Sequence, residues 1–154
     1  MKKIYYRDLI FYVLLTLFIG SFPAFFINIK EIYNELIKPD IFPPSIVFPI
    51  VWTIIYILLG ISIYRIEIMD APNENAIKIL YFFALFVNAL WTPIFFGLNA
   101  YLFAFFWLIL LFILVLIMVI KFYKIDKISA FINIPYLLWL IFAGYLNYTI
   151  YLLN

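Results

Sequence analysis

The side chains in this sequence that could do chemistry are its indoles, phenols and side-chain amides. There is no histidine and no cysteine, which removes the commonest metal ligand, the commonest general base and any thiolate nucleophile. The acids, at positions 8, 31, 35, 40, 67, 70, 74 and 126, all fall between apolar stretches. No carboxylate pair is therefore placed for acid–base hydrolysis inside such a stretch. What remains is three rows at helical spacing: Phe48, Trp52 and Tyr56; Asn88, Trp91, Thr92 and Phe95; and Asn133, Tyr136, Trp139, Ala143, Leu146 and Asn147. Residues three or four apart share a helix face. Such faces can pack helix to helix, with Asn as interhelical glue and Trp and Tyr as interfacial belts. They can equally converge on a pocket for a large flat or polycyclic apolar ligand, with small residues such as Ala143 leaving space. The pattern alone supports both readings.

The elements that must carry these rows are set by charge. Of the 154 residues, 69% are hydrophobic and 12% charged, with a mean hydropathy of +1.18, against roughly half and a quarter in soluble domains. Charged side chains are costly in hydrocarbon and mark the ends of spans. The uncharged stretches are 9–29, 41–64, 79–120 and 128–154. Because a crossing helix needs about 20 residues, 79–120 must hold two, divided at Gly97-Leu98-Asn99-Ala100, where Gly and Asn suit a tight helical hairpin. The expected fold is an all-α integral membrane bundle of five transmembrane helices in one domain over 1–154, with spans near 9–29, 43–64, 79–97, 101–120 and 129–152. The start Met1–Arg7 resembles a signal peptide, but the run that follows is too long and has no small-x-small cleavage site, so it reads as a retained first helix. With five spans, Lys2, Lys3, Arg7, Arg65, Lys78, Lys121, Lys124 and Lys127 lie on one side and only Lys30 and Lys38 on the other. The positive-inside rule then puts the N-terminus in the cytoplasm, if the membrane is the cell membrane. No basic run is dense enough for nucleic acid.

Four of the five spans contain a proline: Pro23, Pro49, Pro93 and Pro135. Each removes an amide and is expected to kink its helix, freeing the carbonyls of Ile19, Ser45, Ala89 and Phe131. Pro43 and Pro44 suit a helix start, and Gly20 and Ala24 form a small-x-x-x-small pair for close helix approach. The fourth span carries only Trp107 as a polar side chain and is expected to serve packing and lipid contact. No span holds an interior charge, which argues against an ion-coupled pump.

The segments YNELIKPDIFPPSIVFPIVWTIIY, VNALWTPIFFGLN and IPYLLWLIFAGYLNYTIYLLN, taken together and in this order, resemble the TspO/MBR family, the tryptophan-rich sensory and translocator proteins that include the peripheral-type benzodiazepine receptor. The resemblance runs from about Gly20 to the C-terminus. It implies a five-helix bundle, frequently homodimeric, around a pocket open on the side of the first loop. It further implies porphyrin ligands such as protoporphyrin IX, and in some members sterols or synthetic drugs. Carried onto this sequence, the pocket would be lined by Phe48, Pro49, Val51, Trp52 and Tyr56 from the second helix, Asn88, Trp91 and Phe95 from the third, and Trp139, Ala143, Leu146 and Asn147 from the fifth. Tyr33, Leu36, Lys38 and Pro39 of the first loop would form a lid, with Lys30 and Lys38 as candidate partners for porphyrin carboxylates.

The implied role is binding or sensing of tetrapyrroles or similar hydrophobic small molecules, with lipid as a further partner and no required cofactor or metal. A second reading is light- and oxygen-dependent porphyrin breakdown, with Trp52 and Trp139 as oxidisable indoles, and a third is passive translocation of porphyrin or lipid. Without histidine, tight axial ligation of haem iron is not expected. Departures from the family pattern are Ile32, Ile41 and Ile46 where Trp is frequent, Ala84 where Gln is frequent, and Leu152 in place of the basic residue of the sterol-binding pattern.

Overall fold

The computed structural model describes residues 5–154, so Lys2 and Lys3 lie outside the described residues. Among the described residues, five helical stretches are long and apolar enough to cross a membrane: Tyr6–Phe26, Val47–Met69, Glu74–Gly97, Tyr101–Tyr123 and Lys127–Leu153. The first comprises α1 (Tyr6–Ser21) and a 3₁₀ turn (Phe22–Phe26). A short helix, α2 (Ile29–Glu35), occupies the first loop, followed by α3 (Val47–Met69) and α4 (Glu74–Thr92). A π turn (Pro93–Gly97) continues α4, α5 is Tyr101–Tyr123, and the last crossing divides into α6 (Lys127–Phe131) and α7 (Ile134–Leu153). Around the bundle, α1 packs between α3 and α4, α5 packs between α4 and α7, and α6 closes back onto α3.

The number of spans matches expectation, and the boundaries shift. The second span begins at Val47, because Pro43 and Pro44 lie outside the helix, a turn in which Val47 N–H donates to Pro44 O at 3.0 Å leading into it, and it ends at Met69 rather than residue 64. Arg65 and Glu67 thus belong to helix, as do Glu74 and Lys78 at the start of α4. They are tolerated there because they are paired: Lys78 meets Glu67 at 3.2 Å and Glu74 at 2.7 Å, and Arg65 grips Asp126 with two nitrogens at 2.7 and 3.0 Å. A cation held by carboxylates at a span end avoids the cost of an unpaired buried charge.

The prolines do not kink mid-helix. Pro49 is in the first turn of α3 and Pro135 in the first turn of α7, where the amide has no intrahelical partner to lose. Pro23 ends α1 and opens the 3₁₀ turn, while Pro93 ends α4 and opens the π turn, with Leu98 N–H donating to Pro93 O at 3.0 Å. These prolines partition the spans into segments. At the 97–100 hairpin the left-handed residue is Asn99, with φ 51°. Gly97 is not left-handed, and a Cβ there would meet nothing nearer than 3.8 Å.

Close helix approach also occurs elsewhere than the sequence suggested. Gly60, on α3, is where backbone meets backbone: a Cβ there would lie 2.6 Å from Val13 Cα on α1. Gly20 instead receives the ring of Tyr56, whose Cζ would stand 2.3 Å from an added Cβ, and Ala24 is exposed in the 3₁₀ turn. In α5, Ala104, Leu108, Leu111, Val115, Met118 and Phe122 form one buried stripe. Its opposite side, with Phe106, Ile113 and Ile120, is exposed, as expected of a span facing hydrocarbon.

Candidate functional site

A cavity of about 510 Å³ opens between the first-loop ends of α3, α4 and α7, with the end of α1 as its fourth wall. It exists because bulky rings rather than close-packed aliphatics face one another there. Phe48, Trp52 and Tyr56 descend one face of α3, and Trp52 stacks on Tyr56 with centroids 5.6 Å apart. Across from them, Trp139 of α7 meets Phe48 edge-on at 5.8 Å and Trp52 at 6.4 Å with the planes perpendicular. On α4, Trp91 stacks on Phe95 at 5.0 Å. Edge-to-face and offset contacts are the favoured aromatic geometries, so the walls are firm without filling the space between them.

The amides near this space are already engaged. Asn88 Nδ2 donates to the Tyr136 hydroxyl at 2.7 Å, and Asn88 Oδ1 accepts from the Tyr56 hydroxyl at 2.8 Å, which also lies 3.2 Å from Gly20 O. Asn88 thereby ties α4 to α3 and α7 in one buried network. Asn147 of α7 in turn joins α4 and α5, accepting from Trp91 Nε1 at 3.1 Å and donating to Tyr101 O at 2.7 Å. Both readings of the rows thus have a physical counterpart: the amides fasten the helices, and the aromatics line a space. Asn133 is separate from the cavity. Its Nδ2 donates to Ser62 Oγ at 2.6 Å and Ser129 O at 2.7 Å, beside the Arg65–Asp126 pair. There Asp126 caps α6, accepting from Ser129 N at 3.0 Å and Ser129 Oγ at 2.6 Å. Together with Arg65, these donors hold its carboxyl at a pKa of about 2.

The cavity brings together Phe48, Pro49, Trp52, Tyr56, Asn88, Trp91, Phe95, Trp139, Ala143, Leu146 and Asn147, along with Tyr33 and Leu36 of the first loop. Val51 does not line it, since the position before Trp52 is turned by about 100° from that face, and it packs against the core instead. Lys38 and Pro39 do not line it either. The Lys38 ammonium folds back on α2, donating to Tyr33 O at 2.5 Å and Leu36 O at 3.0 Å and lying 4.7 Å from the Tyr33 ring centre. A cation there satisfies the free carbonyls at a helix C-terminus. Lys30 does line the cavity and has no ion pair among the described residues.

The sequence reading missed the contribution of the first span, Gly20, Ser21 and Ala24, and of Phe42, Ser45 and Ile150. The glycine–alanine spacing was a usable signal, but it marks room for a ring and a void. The first-loop segment expected to form a lid is partly helical and held by side-chain bonds. Tyr33 donates to Pro43 O at 2.8 Å and meets Phe42 and Phe48 with centroids 5.7 and 6.2 Å apart, and burial raises its phenol pKa. The Asn154 side chain clasps the backbone of Ile37 in both directions, each bond 3.0 Å.

Five apolar spans around an aromatic chamber, with first-loop residues on its wall, define a multi-pass integral membrane protein with an internal, ligand-sized cavity. A model of the TspO/MBR family matches residues 12–153. Protein CrtK of Rhodobacter capsulatus is 39% identical over 124 residues, covering 79% of this chain and 78% of that protein. A tryptophan-rich protein TspO of Archaeoglobus fulgidus is 35% identical over 144 residues, covering 92% and 94%. The translocator protein of Sus scrofa is 30% identical over 122 residues, covering 77% and 72%. The chain belongs to the TspO/MBR family, the tryptophan-rich sensory and translocator proteins.

Proposed function

We propose that this protein holds a porphyrin, protoporphyrin IX or a close analogue, in the aromatic cavity, and acts as a membrane binding and sensory protein. The observation that carries the reading is the chamber of about 510 Å³ walled by Trp52, Trp91, Trp139 and their ring neighbours. That size is in the range of small-molecule pockets, about 300–1,000 Å³, and opposed aromatic faces suit a wide π-surface. Lys30, on the wall and free of an ion pair, is the cation available to a porphyrin carboxylate; Lys38 is occupied by α2. The proposal includes a cytoplasmic N-terminus, supported by the excess of lysine and arginine on that side, and pairing of two copies through lipid-facing helices.

The test is quenching of tryptophan fluorescence by protoporphyrin IX in the dark, for the wild type and Trp139→Phe. Saturable quenching that weakens in the variant supports the site. Linear quenching, identical in both, rejects it. The perpendicular contact of Trp52 and Trp139 inside the cavity favours one further reading, light- and oxygen-dependent porphyrin breakdown. That reading requires product only under illumination in air, and its loss in Trp52→Phe and Trp139→Phe.

A further inference from the structure

A second concavity, of about 260 Å³, lies on the outside of the bundle at the opposite end from the cavity mouth, where the last turns of α5 meet α6 and the start of α7. Its lining is apolar, with Ile120, Tyr123, Phe131 and Ile134 exposed around a floor of Val119 and Ala130, and a single cation, Lys124. Tyr123 and Phe131 stand edge to face, centroids 6.0 Å apart, and Lys127 reaches over the Tyr123 ring at 5.6 Å. An open apolar groove at a span end faces the acyl chains just beneath the headgroups.

Charge identifies its occupant. On this side of the membrane the other described cations are matched: Arg7 with Asp8, Arg65 with Asp126, Lys78 with Glu67 and Glu74. Lys121, Lys124 and Lys127 have no carboxylate within ion-pair distance among the described residues, and the acid nearest in sequence, Asp126, is committed to Arg65 and Ser129. Two uncompensated lysines thus stand at one apolar slot at headgroup level, Lys124 on its wall and Lys127 over the Tyr123 ring, and Lys121 follows Ile120 on the same turn of α5. Basic pockets at span ends on one face are suited to anionic headgroups.

We infer that this groove is a binding site for an anionic phospholipid, with an acyl chain between Ile120 and Ile134 and the phosphate held by Lys124 and Lys127, Lys121 adding to the local field. It is separate from the aromatic cavity, so the two assignments stand or fall independently.

The experiment uses the full chain, delipidated in detergent and titrated with phosphatidylglycerol or phosphatidylcholine, with bound lipid counted by native mass spectrometry. Phosphatidylglycerol should bind well ahead of phosphatidylcholine. Lys124→Gln with Lys127→Gln should weaken it by about 30-fold, from the usual contribution of a basic residue near an anionic lipid surface. Ile134→Trp, which fills the slot and leaves every charge, should weaken it too. Arg7→Gln, which removes a cation from the same side away from the groove, should leave binding unchanged. Equal binding of the two lipids, or an Arg7→Gln loss as large as that of the lysine pair, would overturn the assignment.

Discussion

Gly60 and Gly144 offer a stability test in which the same substitution should act in opposite directions. Gly60→Ala would bring a methyl to 2.6 Å from Val13 Cα, 2.9 Å from Val13 N and 3.0 Å from Tyr12 O. All three are backbone atoms, so no side chain can rotate away. Reaching ordinary contact at 3.4 Å requires α1 to retreat by about 0.8 Å, the difference between those two distances. Overpacking of this kind costs roughly 1–3 kcal/mol, against which alanine's better helix propensity returns up to about 1 kcal/mol. At Gly144 an added Cβ meets nothing within 4 Å, leaving only the propensity gain. The two variants should therefore differ by about 2 kcal/mol, or roughly 4–8 °C in Tm for a chain of this size. Thermal unfolding in detergent, followed by near-ultraviolet circular dichroism, measures it. Gly60→Ala unfolding at or above the temperature of Gly144→Ala would refute the close α1–α3 contact.

Two further predictions follow from the two ends of the bundle. Asp126 has a folded pKa of about 2, below the ordinary carboxylate value near 4. A depressed acid stabilises the fold above its unfolded pKa and loses that contribution as pH falls through the folded one, so stability should drop by roughly 2 kcal/mol between about pH 4 and pH 2. Asp126→Asn should flatten that part of the pH–stability curve, and an unchanged slope would count against the Arg65 pairing. At the lid, Asn154→Ala removes both bonds to Ile37; at about 1 kcal/mol net for such bonding, hydrogen exchange at the Ile37 amide should quicken by about fivefold. No change there would mean that the lid is held by its rings alone.

The span count was legible because hydrocarbon penalises charge more strictly than any other solvent, and the uncharged runs of this chain leave little choice. The boundaries were not, since Arg65, Glu67, Glu74 and Lys78 look like loop residues until their partners are seen. Rows at helical spacing identified most of the cavity wall. Val51 failed because the family pattern includes it while the α3 face does not, and Lys38 failed because a lysine's long stem lets it reach its own helix end. The prolines were assigned to the right spans and the wrong job. Whether a proline kinks or punctuates a helix depends on the turn it occupies, and in α3 and α7 that turn is the first, so the helix starts had to be located before the prolines could be read.

The Asn88 and Asn147 amides have a consequence for selectivity. Their bonds to Tyr56, Tyr136, Trp91 and Tyr101 engage both amides near the chamber, while the indole N–H of Trp139, buried on its wall, has no partner. A site that rejects the wrong molecule by stranding its own buried donors gains large discrimination, whereas an apolar wall separates near neighbours by only about 1–3 kcal/mol per methylene. Under the proposed binding role, this chamber would sort occupants chiefly by outline, flatness and bulk, and among molecules of one silhouette it would favour those that offer an acceptor to Trp139 Nε1 or an acid to Lys30.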